Sequence, residues 1–168
     1  VGVEMGQSFH RPHGGVVKLG EDALAGMLRF AQLSEAATEA GGVLIGRHIA
    51  DSKDVVIDRV TVPMAGDRRT RTRFDRAHRR HQKALDEAWE RSSGTSVYLG
   101  EWHTHPEPLP TPSNIDLNDW RKRLVNDRVE ADFLLFLIVG QREIRMWEGS
   151  RVVLGVTRLR ERKELQRA

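Results

Sequence analysis

The sequence predicts a single α/β domain of the α+β type, a mixed curved β-sheet flanked by helices. Three observations carry that expectation. The chain has 168 residues, within the ~100–200 that one domain usually takes. Hydrophobic residues make up 39% and charged residues 30%, an ordinary globular composition that is too apolar for a disordered chain. The predicted elements run β-α-ββ-α-β-α-βββ, and hairpins on both sides of the helices argue for a mixed sheet over a doubly wound parallel one. The domain is expected over residues 15–160, between a flexible N-terminal tail (1–14) and a charged C-terminal tail (161–168).

Each element follows from its pattern. Residues 1–14 carry Gly2, Gly6, Pro12 and Gly14 without periodicity. Val16 to Leu19 reads as a short strand. From Glu21, Leu24, Met27, Leu28 and Ala31 follow helical spacing, so a helix is expected over 21–34. GGVLIGRHI (41–49) is dense in β-branched and aliphatic residues, a buried strand, with Gly41 and Gly42 marking close backbone approach. Val55 to Val62 returns as a second strand. Residues 67–73 form a basic loop, and Asp75 to Ser92 reads as a helix with Leu85, Ala88 and Trp89 on one face. Ser96 to Trp102 is a strand. Pro106, Pro108, Pro110 and Pro112 then stiffen a loop and forbid regular structure in it. Ser113 to Val125 is a helix, Phe133–Val139 a central strand, Glu143–Trp147 its hairpin partner and Arg151–Thr157 a third strand.

Composition excludes several chemistries. Cysteine is absent, which removes disulfides, thiol nucleophiles and thiolate metal sites. Any metal centre must be built from His, Asp and Glu. The longest apolar run, Phe133 to Val139, falls far short of the ~20 residues that span a bilayer. No signal-peptide pattern is visible, so a cytoplasmic protein is expected. No G-x-G-x-x-G or Walker motif opens a helix. Eight basic residues (Arg68, Arg69, Arg71, Arg73, Arg76, Arg79, Arg80, Lys83) face one acid, Asp75, a net +7 in a chain of +3. With Phe74 as its only aromatic, this patch suits an acidic protein surface better than stacked nucleic acid.

The informative segment is EWHTHPEPLPTPSNID, Glu101 to Asp116. Strand alternation points His103 and His105 the same way, and Ser113 and Asp116 fall in the first turn of the following helix. Two imidazoles and a carboxylate suit zinc, with a fourth position open. Separately, the fragments read as ordinary histidines and an N-cap. Glu101 lies on the same strand face as His103, roughly 6–7 Å along, and is a rival base or a support for an imidazole. His78 and His81, one helical turn apart in basic surroundings, read as solvated; His10 and His13 carry no assignment.

H-T-H, seven residues, Ser, two residues, Asp resembles the signature of the JAMM (MPN-plus, prokaryotic JAB-domain) metallopeptidases, zinc isopeptidases that remove ubiquitin and ubiquitin-like proteins. The family also carries a glutamate before a Gly-rich strand, here Glu39 in TEAGGVLIG. The resemblance runs from Glu21 to Val156 and implies the family's curved mixed sheet. It implies that His103, His105 and Asp116 hold Zn2+, that Glu39 is the general base that later protonates the leaving amine, and that Ser113 donates to the oxyanion. YLGEWHTHPEP with its following PS..D...W further resembles the deconjugating peptidases of bacterial operons that encode ubiquitin-activating-like enzymes. In the antiphage CBASS class the conjugated protein is a cyclic-nucleotide synthase. The implied partner is a protein with an extended C-terminal tail, or its conjugate, with no membrane or nucleic acid. Processing of a small ubiquitin-like or sulfur-carrier protein, and a non-catalytic MPN-type scaffold, are the alternatives.

Overall fold

A computed structural model describes residues 5–163. In chain order its elements are β1 (Met5–His10), β2 (Val16–Gly20), α1 (Glu21–Leu28), β3 (Gly41–His48), β4 (Val55–Val60), β5 (Arg68–Thr70), β6 (Arg73–Asp75), α2 (His78–Arg91), β7 (Val97–Thr104), α3 (Asn114–Asn126), β8 (Phe133–Val139), β9 (Ile144–Ser150), β10 (Val156–Arg158) and β11 (Arg160–Glu161). Nine strands form one sheet in the order β10-β9-β8-β7-β3-β4-β2-β1-β11; β5 and β6 pair separately. The β2–β4 and β7–β8 pairs are parallel, so the sheet is mixed, as the element order predicts.

The sheet is apolar on both faces, which is why β8 reads as an unbroken hydrophobic run. Leu135, Leu137 and Val139 join the cluster with Ala23 and Met27 of α1 and Trp102 of β7. Leu134, Phe136 and Ile138 point the other way, against Trp120 and Leu124 of α3. Trp120 stacks on Phe136 with ring centroids 4.7 Å apart. Helix α2 lies on the same side through Ala88, packed with Val43 and Ile45. A bulge interrupts the β3–β7 ladder between Leu44 and Ile45, beside Gly100. Gly100 has φ 142°, and a Cβ there would meet the Leu135 carbonyl oxygen at 1.7 Å. Glycine is therefore required at this turn of the ladder. The bulge sets which face the rest of β7 presents: Trp102 and Thr104 toward α1, His103 toward Trp120 of α3.

Several sequence expectations are corrected. Within the expected N-terminal tail, residues 5–10 form β1, paired with both β2 and β11; residues 1–4 lie outside the described part. Arg11 ties this segment down with two hydrogen bonds to the Glu148 carboxylate, at 2.8 and 3.0 Å. The C-terminal tail begins inside β11, and residues 164–168 lie outside the described part. Helix α1 ends at Leu28, well short of residue 34, because the following segment turns inward to bury Gln32. The basic loop is a β5–β6 hairpin. The third strand begins at Val156, because Arg151 turns in to donate to the carbonyls of Leu124, Asp127 and Val129. Trp89 on α2 is 56% exposed, so the apolar face expected there is narrower.

Candidate active site

The end of β7 and the start of β3 meet at one end of the sheet's central strands. Gly41 pairs with His103 in the antiparallel ladder, which carries Glu39 toward the two histidines. Close approach explains the small residues: a Cβ on Gly41 would meet Phe74 and the Trp102 carbonyl at 2.6 Å, and one on Gly42 the Thr61 carbonyl at 2.0 Å. His103 and His105 leave the strand on one face, with Nε2 atoms 3.0 Å apart. Helix α3 brings Asp116 to them: Oδ1 lies 3.2 Å from His103 Nε2 and Oδ2 3.2 Å from His105 Nε2. The indole of Trp120 backs His103 at 6.4 Å between ring centroids.

These donors fit a zinc ion. Ligand atoms 2.0–2.1 Å from one tetrahedral zinc stand roughly 3.3 Å from each other; the two imidazole Nε2 atoms are 3.0 Å apart, and each has a different Asp116 oxygen 3.2 Å away, Oδ1 for His103 and Oδ2 for His105. Glu39 and the two imidazoles also form a metal-type cluster, their donor atoms all within 4.8 Å of one another. Two carboxylates thus stand beside the imidazole pair, Asp116 with an oxygen 3.2 Å from each ring and Glu39 within 4.8 Å of both. All four side chains come from different chain segments except the two histidines, and all are buried or nearly so.

The electrostatics divide the carboxylates. Burial pushes Glu39 up to about 7, with His103 and His105 pulling it down and Asp116 adding to the rise. Burial also opposes ionisation of Asp116, but the hydrogen bonds from His103, His105 and the Ser113 N–H hold it well below the usual carboxylate range. His105 loses solvation on burial, yet Asp116 and Glu107 raise it to about 9. The same pocket therefore shifts its two carboxyls in opposite directions, Glu39 up by burial and Asp116 down by the hydrogen bonds it accepts.

Ser113 and Asp116 form a capping box at the start of α3. Ser113 Oγ accepts from Asp116 N–H at 3.1 Å, and Asp116 Oδ2 accepts from Ser113 N–H at 2.7 Å. The cap that starts the helix therefore also aims the carboxylate at the imidazoles. Ser113 is exposed, and its hydroxyl proton has no acceptor among the described residues.

Comparison with known proteins agrees with this geometry. Residues 21–150 match the family described as prokaryotic homologs of the JAB domain. The chain belongs to this family. A protein of Vibrio cholerae named "CD-NTase/cGAS isopeptidase" is 40% identical over 77% of this chain and 80% of its own length. Proteins of the same name from Escherichia coli and Pseudomonas aeruginosa are 35% and 39% identical, over 79% and 67% of this chain and 80% and 70% of their own lengths. A solved solution structure from Desulfitobacterium hafniense shares the fold at a TM-score of 0.59 and 22% identity, covering 84% of this chain and 88% of that one.

The JAB domain brings Glu39, His103, His105, Ser113 and Asp116 to one place and leaves the rivals outside it. Glu101 faces Arg76, whose guanidinium lies 3.4 Å away. Burial raises Glu101, Arg76 opposes the rise, and no atom of Glu101 joins the donor group. His81 is not solvated, as its basic surroundings suggested. It is 1% exposed, with Nδ1 2.6 Å from Thr61 Oγ1 and Nε2 3.0 Å from Asp67. That buried chain pins α2 to the end of β4.

Sequence reasoning missed Glu107, whose Oε1 lies 2.8 Å from His105 Nδ1 and also accepts from Thr111 N–H at 3.2 Å. Its signal was position: an acid two residues past a candidate ligand, in a proline-stiffened loop. The basic patch is smaller than its sequence suggests. Arg69 donates to the Glu39 carbonyl, Arg71 to the carbonyls of Ser34 and Glu35, Arg73 pairs with Asp75 and Arg76 with Glu101. A cleft of about 900 Å³ opens between α2 and α3, lined by Arg76, Trp89, Tyr98 and Phe133. No residue of the metal-type cluster lines it.

Proposed function

We propose that His103, His105 and Asp116 form a zinc centre at which this JAB-domain isopeptidase hydrolyses the bond joining the C-terminal tail of a CD-NTase to its conjugated target. The observation that carries the reading is the convergence of the two imidazoles, 3.0 Å apart and each 3.2 Å from an Asp116 oxygen, beside a buried Glu39 pushed up to about 7. The shared name of the relatives supports the substrate. On this reading the protein is cytoplasmic and reverses conjugation of a CBASS cyclic-nucleotide synthase in antiphage defence. Among the described residues no helix is long and apolar enough to cross a membrane.

Zinc, when bound, supplies Lewis acidity toward water and the scissile carbonyl. The chain's own residues do the rest. Glu39 takes a proton from the attacking water on its carboxylate and passes it to the leaving amine. A buried carboxylate, whose ionised form burial disfavours, is the kind of group that can both take up and release that proton. The Ser113 hydroxyl donates to the developing oxyanion. Asp116, fixed by its cap, and His105, fixed by Glu107, keep their donor atoms facing the centre.

Metal analysis and turnover of an isopeptide-linked CD-NTase conjugate test the reading. One zinc per chain is expected, lost in His103→Ala and His105→Ala. Glu39→Gln should keep zinc and lose turnover by about 10²–10⁴-fold. Metal-free protein that cleaves at full rate would overturn it. Cleavage of a linear fusion or sulfur-carrier precursor in preference to the conjugate would reassign the substrate.

A further inference from the structure

Glu39 belongs to no regular element. Helix α1 ends at Leu28 and β3 begins at Gly41, so the carboxylate read here as the base sits near the end of an irregular stretch, residues 29–40. The β3–β7 ladder stops at the Gly41–His103 pair. One residue further, Thr104 N–H still donates to the Ala40 carbonyl at 2.8 Å, but the return bond is made by a side chain. Ala40 N–H donates to Thr104 Oγ1 at 3.0 Å. The hydroxyl in turn donates to Gln32 Oε1 at 2.8 Å, and Gln32 Nε2 donates to the carbonyls of Ala37 and Arg71 at 3.2 and 2.8 Å.

The directions in this chain are forced. Only the Gln32 amide nitrogen can serve two carbonyls, so its oxygen must face Thr104. The Thr104 proton then goes to Gln32, leaving a lone pair for the Ala40 N–H. Both side chains are 0% exposed, so losing one leaves its partner a buried polar group without its hydrogen bond. We infer that Thr104 and Gln32 are positioning residues that set the Glu39 carboxylate against His103 and His105. They extend the ladder past its last strand pair. Thr104 sits between the two histidines in sequence and points to the opposite face, so one residue registers the ligand strand against the base-bearing segment. The inference rests on Glu39 being the general base.

A mutant cycle tests it, on an isopeptide-linked CD-NTase conjugate with zinc content and Tm measured in parallel. Thr104→Val keeps the volume and removes the hydroxyl. A misplacement of about 1 Å costs roughly 10²-fold in rate, so kcat should fall by about that factor, with KM and zinc per chain unchanged. Thr104→Ser should restore kcat. Gln32→Met, which removes the hydroxyl's acceptor, should give the same pattern in a second fold background. In a Glu39→Gln background, Thr104→Val should cost nothing further, because the group it positions is already gone. The same fold-loss in both backgrounds, or loss of zinc from Thr104→Val, would overturn the inference. An inactive Glu39→Gln beside a fully active Thr104→Val would overturn it while leaving the base assignment intact. A fully active Glu39→Gln would remove the base assignment and the inference with it.

Discussion

Ser113 holds two roles that can be separated by substitution. Its hydroxyl accepts one bond, from Asp116 N–H at 3.1 Å, while the reciprocal bond to Asp116 Oδ2, 2.7 Å long, comes from the Ser113 main chain. That second bond survives any replacement except proline, so Asp116 keeps its aim and zinc should be retained. Ser113→Ala removes the cap acceptor, worth about 1 kcal/mol, or about 2–4 °C in Tm for a domain of this size. As an oxyanion donor the same hydroxyl contributes about 2.7–4 kcal/mol to the transition state, about 10²–10³ in kcat. The activity loss should therefore exceed anything the stability loss explains. Ser113→Gly divides the two further. Glycine at an N-cap costs only about a few tenths of a kcal/mol, and the exposed Asp116 N–H can be solvated, yet kcat should fall as far as in Ser113→Ala. Ser113→Thr should keep both properties. The assay is kcat on the isopeptide conjugate with Tm and zinc per chain alongside. Wild-type turnover in Ser113→Gly would show that the hydroxyl only caps α3, and zinc loss in Ser113→Ala would show that the side-chain half of the box holds Asp116.

Three further outcomes follow from the charges. In chelator-treated protein His105 is held up to about 9, above its ordinary 6.5, by Asp116 and Glu107 against the effect of burial. The stability it contributes is full below about pH 6.5 and is lost as pH rises through about 9. Asp116 is depressed below 3.8, so its contribution is present above that pH and is lost on acidification. Tm of the metal-free protein should fall between about pH 6.5 and 9, and His105→Gln should flatten that fall; an unchanged slope in His105→Gln assigns it to another group. Zinc affinity should weaken as pH drops, because the imidazoles must lose protons to bind, which titration with a zinc indicator reads directly. For the basic surface, Arg68 of β5 and the Glu101-paired Arg76 aside, Arg79, Arg80 and Lys83 of α2 are the patch cations with no side-chain hydrogen bond among the described residues, and of these three only Lys83 has an ion-pair partner, Glu87 at 3.9 Å. Replacing all three with Glu should raise KM for the full conjugate, leave a short tail peptide unaffected, and matter less in 1 M salt, where the Debye length is about 3 Å. Equal KM values for the conjugate at low salt would make the patch a solvated helix face.

The chemistry of the site is local in sequence, and that is why it was legible. His103, His105, Ser113 and Asp116 lie within fourteen residues, on a strand end and a helix start whose periodicities dictate that the side chains converge. Glu39 was legible only through the motif that accompanies it, since nothing near it in sequence marks a base. The β8 run and the proline loop were equally plain, because burial on both faces and missing N–H groups leave direct marks in composition. The sequence by itself therefore determined the fold class and named the side chains that the fold gathers at one place. The tertiary structure alone decided what surrounds them. It turned the free tail into β1 through edge pairing with β2 and β11. It buried His81 against Asp67 and Thr61, spent four of the eight patch arginines and lysines on partners within the chain, and set Glu101 on Arg76. It also drew Gln32, 72 residues away, to Thr104. Each of these is a hydrogen bond or ion pair between segments distant in the chain. Periodicity records which face a residue turns to the core, whereas the identity of its polar partner depends on sheet order and register, which local sequence does not encode.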